Sequence, residues 1–219
     1  MNPTLYAHPF ASYCWKVLVA LYENHTEFTY RALGPEDPQA AIELEAIWPL
    51  KKFPVLVDAG HSVIESSIII EYLGRRYPGT VQLIPADPEA ALEVRFLDRY
   101  FDNYIMTPMS KIVTDQIRPP DQRDPYGVGE AKATLEVAYQ WLDAVIGDRI
   151  WAAGDNFTLA DCAGAPALFY ADWAHPIAAR FPRVRGYRSR LLGRPSVARV
   201  VDEARPFRKF FPLGAPDRD

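Results

Sequence analysis

Trp15, Leu18, Val19 and Tyr22 recur at i, i+3, i+4 and i+7, so the chain from Ser12 to Asn24 is predicted to form an amphipathic helix. A short strand from Thr4 to Ala7 precedes it and ends at His8-Pro9. Phe28, Tyr30 and Ala32 alternate with Thr29 and Arg31, the period of a second strand, which Gly34-Pro35 breaks. Pro38 to Ile47 is a short helix stopped ahead of Pro49. Val55-Leu56-Val57, between Pro54 and the turn Asp58-Ala59-Gly60-His61, has the pattern of a strand buried on both faces. Ser62-Val63-Ile64 returns as its hairpin partner. Glu65-Ser66-Ser67 then opens a helix with Ile68, Ile69, Tyr72 and Leu73 as its apolar stripe, and Pro78-Gly79 closes it.

This order of strand, helix, strand, helix, strand, strand, helix describes a small α/β layer with a mixed sheet. A domain of that size buries only about 60% of its surface, so it should lean on something else. Leu83 to Glu89 reads as a linker. Beyond it the period is helical. Leu92, Phe96, Tyr100 and Tyr104 recur every four residues beside Leu97, Phe101 and Ile105, in a helix that continues towards Ile117 and ends at Pro119-Pro120. Leu135, Ala138, Leu142 and Val145 mark the next helix. Leu159 to Ala171, Val184 to Leu192 and Val197 to Ala204 mark three more. The expectation is therefore two domains, an α/β domain over 1–80 and an all-α bundle over 88–219.

Composition narrows the function. Hydrophobic residues make up 49% of the chain, enough to fill a core. The net charge of −4 disfavours a protein that coats nucleic acid. No apolar run approaches the ~20 residues that span a bilayer, and MNPTLYAHPF lacks the layout of a secretory signal. The expectation is a soluble cytoplasmic protein with no nucleic-acid or membrane partner. Cys14 and Cys162 do not make a disulfide scaffold. The four histidines show no i, i+4 pairing and there is no C-x-x-C, so no metal is expected. Arg183, Arg185, Arg188 and Arg190 read as a solvated helix face.

Three short segments carry candidate chemistry. In Phe53-Pro54-Val55, a proline at a strand start sits at an edge or bend. A cis bond there would leave the next residue's backbone open to an extended peptide, and an ordinary trans proline is the alternative. Glu65-Ser66 at a helix start offers free N–H groups and a hydroxyl for a carboxylate, with an acid for an ammonium. The alternative is a plain N-cap with a dipole-complementing glutamate. In Phe10-Ala11-Ser12-Tyr13-Cys14-Trp15, hydroxyl and N–H groups ahead of a helix can hold a thiolate, or Ser12 merely caps and Cys14 is core.

These segments stand in one order, with Pro54 eleven residues before Glu65. HPFASYCWKVLVALYEN resembles the first-loop segment of bacterial cytosolic glutathione S-transferases and is similar to the serine-type Theta and Zeta classes. FPVLVDAGHSVIESSIIIEYL resembles the family's cis-proline and glutathione-carboxylate motif. NFTLADCAGAPAL resembles its helical capping motif. The resemblance implies a thioredoxin-like N-terminal domain on an all-α C-terminal domain. It also implies glutathione as co-substrate, a small hydrophobic electrophile and a homodimer. Pro54 would be the cis-proline. Val55 would pair its backbone with the cysteinyl unit, beside Phe53. Glu65 and Ser66 would hold the γ-glutamyl end, and Lys52 would reach the glycyl carboxylate. Phe10, Tyr104, Met109 and Ile112 would border the electrophile. Thr158 and Asp161 would form a structural capping box with Phe157 stapled on Cys162.

One departure matters. The serine of the serine-type classes falls on Ala11, so Ser12, through hydroxyl or backbone N–H, is the expected thiolate donor. Tyr6 lies out of phase, on the opposite face of its strand. Ala11 also replaces the first position of a C-x-x-C, which leaves Cys14 as a buried helix residue. The implied activity is glutathione transfer, in a detoxifying role. The alternatives are glutathione-dependent isomerisation, dehalogenation or ether cleavage, and a non-catalytic scaffold.

Overall fold

The computed structural model describes residues 2–219. The chain begins with β1 (Thr4–Ala7), α1 (Ser12–Glu23), β2 (Thr29–Ala32) and α2 (Pro38–Ile47). The hairpin β3 (Val55–Asp58) and β4 (His61–Ile64) leads into α3 (Ser66–Arg76). The sheet runs β2-β1-β3-β4, with β1 parallel to β2 and antiparallel to β3. Ala59 and Gly60 both have positive φ, 48° and 83°, the conformation of a tight hairpin turn, and Asp58 pairs with His61 across it. Central β3 buries both faces, as its apolar run predicts. Leu56 joins the main core, and Val55 packs with Tyr6, Leu33, Ala40 and Leu44 under α2.

The second half is helical: α4 (Pro88–Tyr100), α5 (Thr107–Ile117), α6 (Pro125–Ile146), α7 (Leu159–Ala174), α8 (Pro182–Leu192) and α9 (Pro195–Ala204). A π-helical turn, Phe101–Met106, joins α4 to α5 without a break. The α4 stripe sits differently from expectation. Val94, Leu97, Phe101 and Ile105 face the core, whereas Leu92, Phe96 and Tyr104 are largely exposed. In α3, Ile70 takes the buried place expected of Ile68, which is exposed.

Helix α1 departs most from the amphipathic reading. Every residue from Cys14 to Leu21 is buried, including Lys16. The cause is position: α1 is packed against α3, α7 and α9 together. One continuous core of buried residues therefore joins both halves, from Leu5 and Leu56 to Leu168 and Val200. The α/β layer leans on the bundle through this helix.

Helix α7 starts with the expected capping box. Asp161 is fully buried and accepts hydrogen bonds from the backbone of Thr158 and Ala152, each at 2.8 Å, and from the hydroxyls of Thr158 (3.0 Å) and Tyr187 (2.7 Å). Phe157 and Cys162 both lie in the core. Arg188 is not on a solvated face. Its guanidinium is mostly buried, 3.4 Å from Asp172.

Candidate active site

The loop between β1 and α1 is held from three sides. Phe10 donates its N–H to His8 Nδ1 at 3.1 Å, and Ala11 donates to the His8 carbonyl at 3.0 Å. Trp15 Nε1 donates to the Pro9 carbonyl at 2.6 Å, and Tyr170 on α7 donates its hydroxyl to the Phe10 carbonyl at 2.9 Å. Burial lowers the His8 pKa, which keeps its ring neutral and able to accept at Nδ1.

The helix then opens without a side-chain cap, because the N-cap residue is Ala11, in extended conformation. Ser12 is the first helical residue, so it does not cap. The N–H groups of Cys14 and Trp15 turn back to the Ala11 carbonyl, at 3.0 and 3.1 Å. Those of Ser12 and Tyr13 have no partner among the described residues. Two donors thus stay free at the positive end of a twelve-residue helix, where an anion is stabilised, and with alanine at the cap no side chain competes for the second of them. Cys14 is fully buried, and burial pushes its thiol up to about 12, which leaves it un-ionised and inert. Tyr6 points the other way, as strand alternation requires, and donates to Glu43.

Two cavities open beside this helix start. The first, about 390 Å³, is lined by Lys52, Phe53, Pro54, Glu65 and Ser66. The Phe53–Pro54 peptide is cis. Glu65 is the N-cap of α3 but makes no side-chain cap bond. Its φ of 72° is a strained value for a non-glycine residue, a cost of roughly 1–3 kcal/mol that collects at binding sites. Val55, expected here through its backbone, keeps its side chain wholly buried. The lining also includes Tyr13 and, from the end of α4 and the π-helical turn, Arg99, Asp102 and Asn103. Burial, with Asp102 nearby, pushes the Tyr13 hydroxyl up to about 12, so it remains a donor.

The second cavity, about 330 Å³, is apolar. Of the residues expected around the electrophile, Phe10 and Met109 border this cavity and Tyr104 and Ile112 do not. Ile112 is buried in the core, and Tyr104 lines a separate outer groove with Phe96 and Trp141. The π-helical turn shifts the helical phase between Tyr104 and Met109, so an unbroken 3.6-residue period misplaces them. The remaining wall comes from Val113, Tyr170 and the segment Phe210-Phe211-Pro212. That segment follows a 3₁₀ turn, Arg205–Phe210. It is pinned by Arg205 and Arg208 on Asp219 and by Arg218 on Asp172. Tyr13 and Phe53 border both cavities, and Ser12 borders the apolar one where they meet.

Comparison with known proteins agrees with this geometry. Residues 5–81 match the family "Glutathione S-transferase, N-terminal domain", and residues 105–195 match "Glutathione S-transferase, C-terminal domain". A glutathione S-transferase-like protein of Fusarium is 32% identical, with 85% of this chain and 86% of that protein covered. A probable maleylacetoacetate isomerase of Caenorhabditis elegans is 25% identical over 94% and 95%. The crystal structure of a glutathione S-transferase from Methylobacterium radiotolerans, in complex with glutathione sulfonate, is 30% identical. It superposes with a TM-score of 0.79 over 92% of this chain and 95% of that one.

Proposed function

This chain belongs to the glutathione S-transferase family, and on that premise we propose that it is a glutathione transferase acting on a small, uncharged, largely aromatic electrophile. The observation that carries the reading is the pair of adjoining cavities, one polar and one apolar, with the unpartnered N–H groups of Ser12 and Tyr13 beside their shared wall. Glutathione lies extended in the polar cavity. Its γ-glutamyl end meets Glu65 and Ser66, its cysteinyl unit follows Pro54 and Val55, and Lys52 reaches its glycyl carboxylate. Its sulfur comes to the start of α1.

A free thiol titrates near ~8.5. Lowering it by ~2 units needs ~2.7 kcal/mol of preferential anion stabilisation. One or two hydrogen bonds to the charged form, at about 1.5–3 kcal/mol each, supply that. The thiolate then attacks an electrophile held in the neighbouring cavity. The protein contributes ionisation and proximity, with no nucleophile of its own.

The lining of the same cavity favours this reading over glutathione-dependent isomerisation, which similarity to the worm protein keeps open. The side chains bordering it are aromatic, aliphatic or hydroxylic, and none carries a charge. A substrate bearing carboxylates would leave them desolvated and unpaired. Calorimetry with glutathione, followed by product-identified assays, tests both points. Binding in the millimolar range or tighter and a glutathione adduct of a neutral aryl electrophile are expected. No measurable binding at millimolar glutathione would favour a non-catalytic scaffold.

The reading includes a cytoplasmic homodimer with a detoxifying role. No described helix is long and apolar enough to cross a membrane. Exposed Phe96, Tyr104, Val137 and Trp141 form an apolar groove of about 600 Å³ between α4 and α6, a surface suited to burial against a second copy. Trp141→Asp is expected to shift the mass in analytical ultracentrifugation from dimer to monomer. A dimer unchanged in both mass and dissociation constant would place the interface elsewhere.

A further inference from the structure

Four polar backbone groups just ahead of α1 have fixed partners. The Pro9 carbonyl accepts from Trp15 Nε1 at 2.6 Å, the Phe10 carbonyl from the Tyr170 hydroxyl at 2.9 Å, and the Ala11 N–H donates to the His8 carbonyl at 3.0 Å. The fourth, the Phe10 N–H, differs because a side chain, His8 Nδ1, accepts it, at 3.1 Å. A side chain that accepts from the N–H two residues on makes the turn usual for asparagine and aspartate. The next two N–H groups, those of Ser12 and Tyr13, are the unpartnered ones. Their direction is set by the peptide planes that these four contacts fix.

His8 has a second contact. Its ring meets Phe207 edge-on, with centroids 4.9 Å apart and planes at 71°. Phe207 lies in the 3₁₀ turn Arg205–Phe210, which delivers Phe210-Phe211-Pro212 to the apolar cavity. One half-buried side chain therefore touches both the backbone that leads to the sulfur site and the turn that carries the far wall of the cavity. Burial lowers its pKa, so the ring is neutral, with the lone pair on Nδ1 and the hydrogen on Nε2. Asparagine would make the turn and phenylalanine would make the ring contact. Histidine makes both.

Resting on the glutathione reading above, we propose that His8 is a positioning residue for both reactants: through Nδ1 it aims the N–H groups of Ser12 and Tyr13 at the sulfur, and through its ring on Phe207 it sets the wall against which the electrophile lies. His8 itself touches neither reactant.

Two variants separate the two contacts. His8→Asn keeps an acceptor for Phe10 and loses the ring, and His8→Phe keeps the ring and loses the acceptor. Two readouts follow them: the thiol pKa of bound glutathione, from the ultraviolet thiolate band against pH, and KM for a neutral aryl electrophile at saturating glutathione. His8→Phe is expected to raise that pKa by about half a unit to one unit, the range for one lost hydrogen bond, and to change KM by less than about twofold. His8→Asn should leave the pKa within about 0.2 units and raise KM by about two- to tenfold, the range for one aromatic pair. His8→Ala should show both effects. Should either of the first two variants not fold, comparing His8→Ala with the other still isolates the missing contact. A merely structural role would move both readouts together in every variant, and that result would overturn the proposal. So would a thiolate band that titrates in His8→Phe as it does in the unmodified protein. If the unmodified protein shows no thiolate band at millimolar glutathione, the glutathione reading fails and this proposal with it.

Discussion

Asp161→Ala is expected to lower the stability of the protein by at least about 3 kcal/mol, the upper end of what single substitutions usually cost, because it strands several buried donors at once. The Asp161 carboxylate accepts four hydrogen bonds, from two backbone N–H groups and two hydroxyls. Removing it leaves those donors buried without partners, at about 1–3 kcal/mol each before relaxation. It also removes half of the capping box at the start of α7, which is worth about 1 kcal/mol by itself. Tyr187→Phe deletes one of the four bonds and should cost only about 1 kcal/mol. Denaturant unfolding at constant m-value measures both. A midpoint for Asp161→Ala within about 1 kcal/mol of the unmodified protein would mean that the network is not what anchors α7. The effect should reach function, because α7 carries Tyr170, whose hydroxyl holds the Phe10 carbonyl. A frayed α7 therefore loosens the loop that sets Ser12.

How much of this was legible in the sequence depended on whether the relevant signal was local. Strand and helix positions were, since period and turn residues are local properties. So was the start of α3, where Glu65-Ser66 lies on the cavity wall as its place ahead of a helix suggests. The surroundings of α1 differ from the amphipathic expectation, although the sequence carries the signal. Eight successive buried residues, Cys14 to Leu21, contain one polar member, Lys16, and a helix that is apolar all round is one covered on all sides. Reading only Trp15, Leu18, Val19 and Tyr22 as a face hid both the second contact surface and the lysine.

Tyr104 and Ile112 were misplaced for a different reason. A helix assumed continuous and regular from Leu92 to Ile117 contains a π-helical turn that no local pattern announces. The far wall of the apolar cavity was out of reach altogether. Phe210, Phe211 and Pro212 meet Phe10 and Ser12 across about two hundred residues of chain, through ion pairs of Asp219 and Arg218 that have no fixed sequence spacing.

The start of α1 supports a prediction that separates hydroxyl from backbone. Ser12→Ala removes the hydroxyl and leaves the N–H. Ser12→Pro removes both, and it does so at the first helical position, where proline is well tolerated. The preceding residue must then be extended, and Ala11 already is, at φ −95° and ψ 123°. The helix should survive both changes, which far-ultraviolet circular dichroism verifies. Each charge-assisted bond is worth about 1.5–3 kcal/mol, or roughly one to two pKa units on the bound thiol. With one bond from the hydroxyl and one from the N–H, Ser12→Ala should raise the thiol pKa of bound glutathione by about one unit and Ser12→Pro by about two or more.

Because the thiolate is the reactive form, the rate rises as pH passes upward through that pKa. Both variants should move the rise to higher pH and, from a bound thiol near ~6.5, lower the thiolate fraction and the rate at pH 7 by about threefold and about 25-fold, respectively. The ultraviolet thiolate band of the bound tripeptide reads the same quantity without turnover. If Ser12→Ala leaves band and rate unchanged while Ser12→Pro abolishes them, the backbone alone activates the sulfur. The alanine at position 11 then costs the site nothing, because an uncapped helix start has taken over the work of a hydroxyl. If neither variant changes the band, the sulfur does not lie at the start of α1.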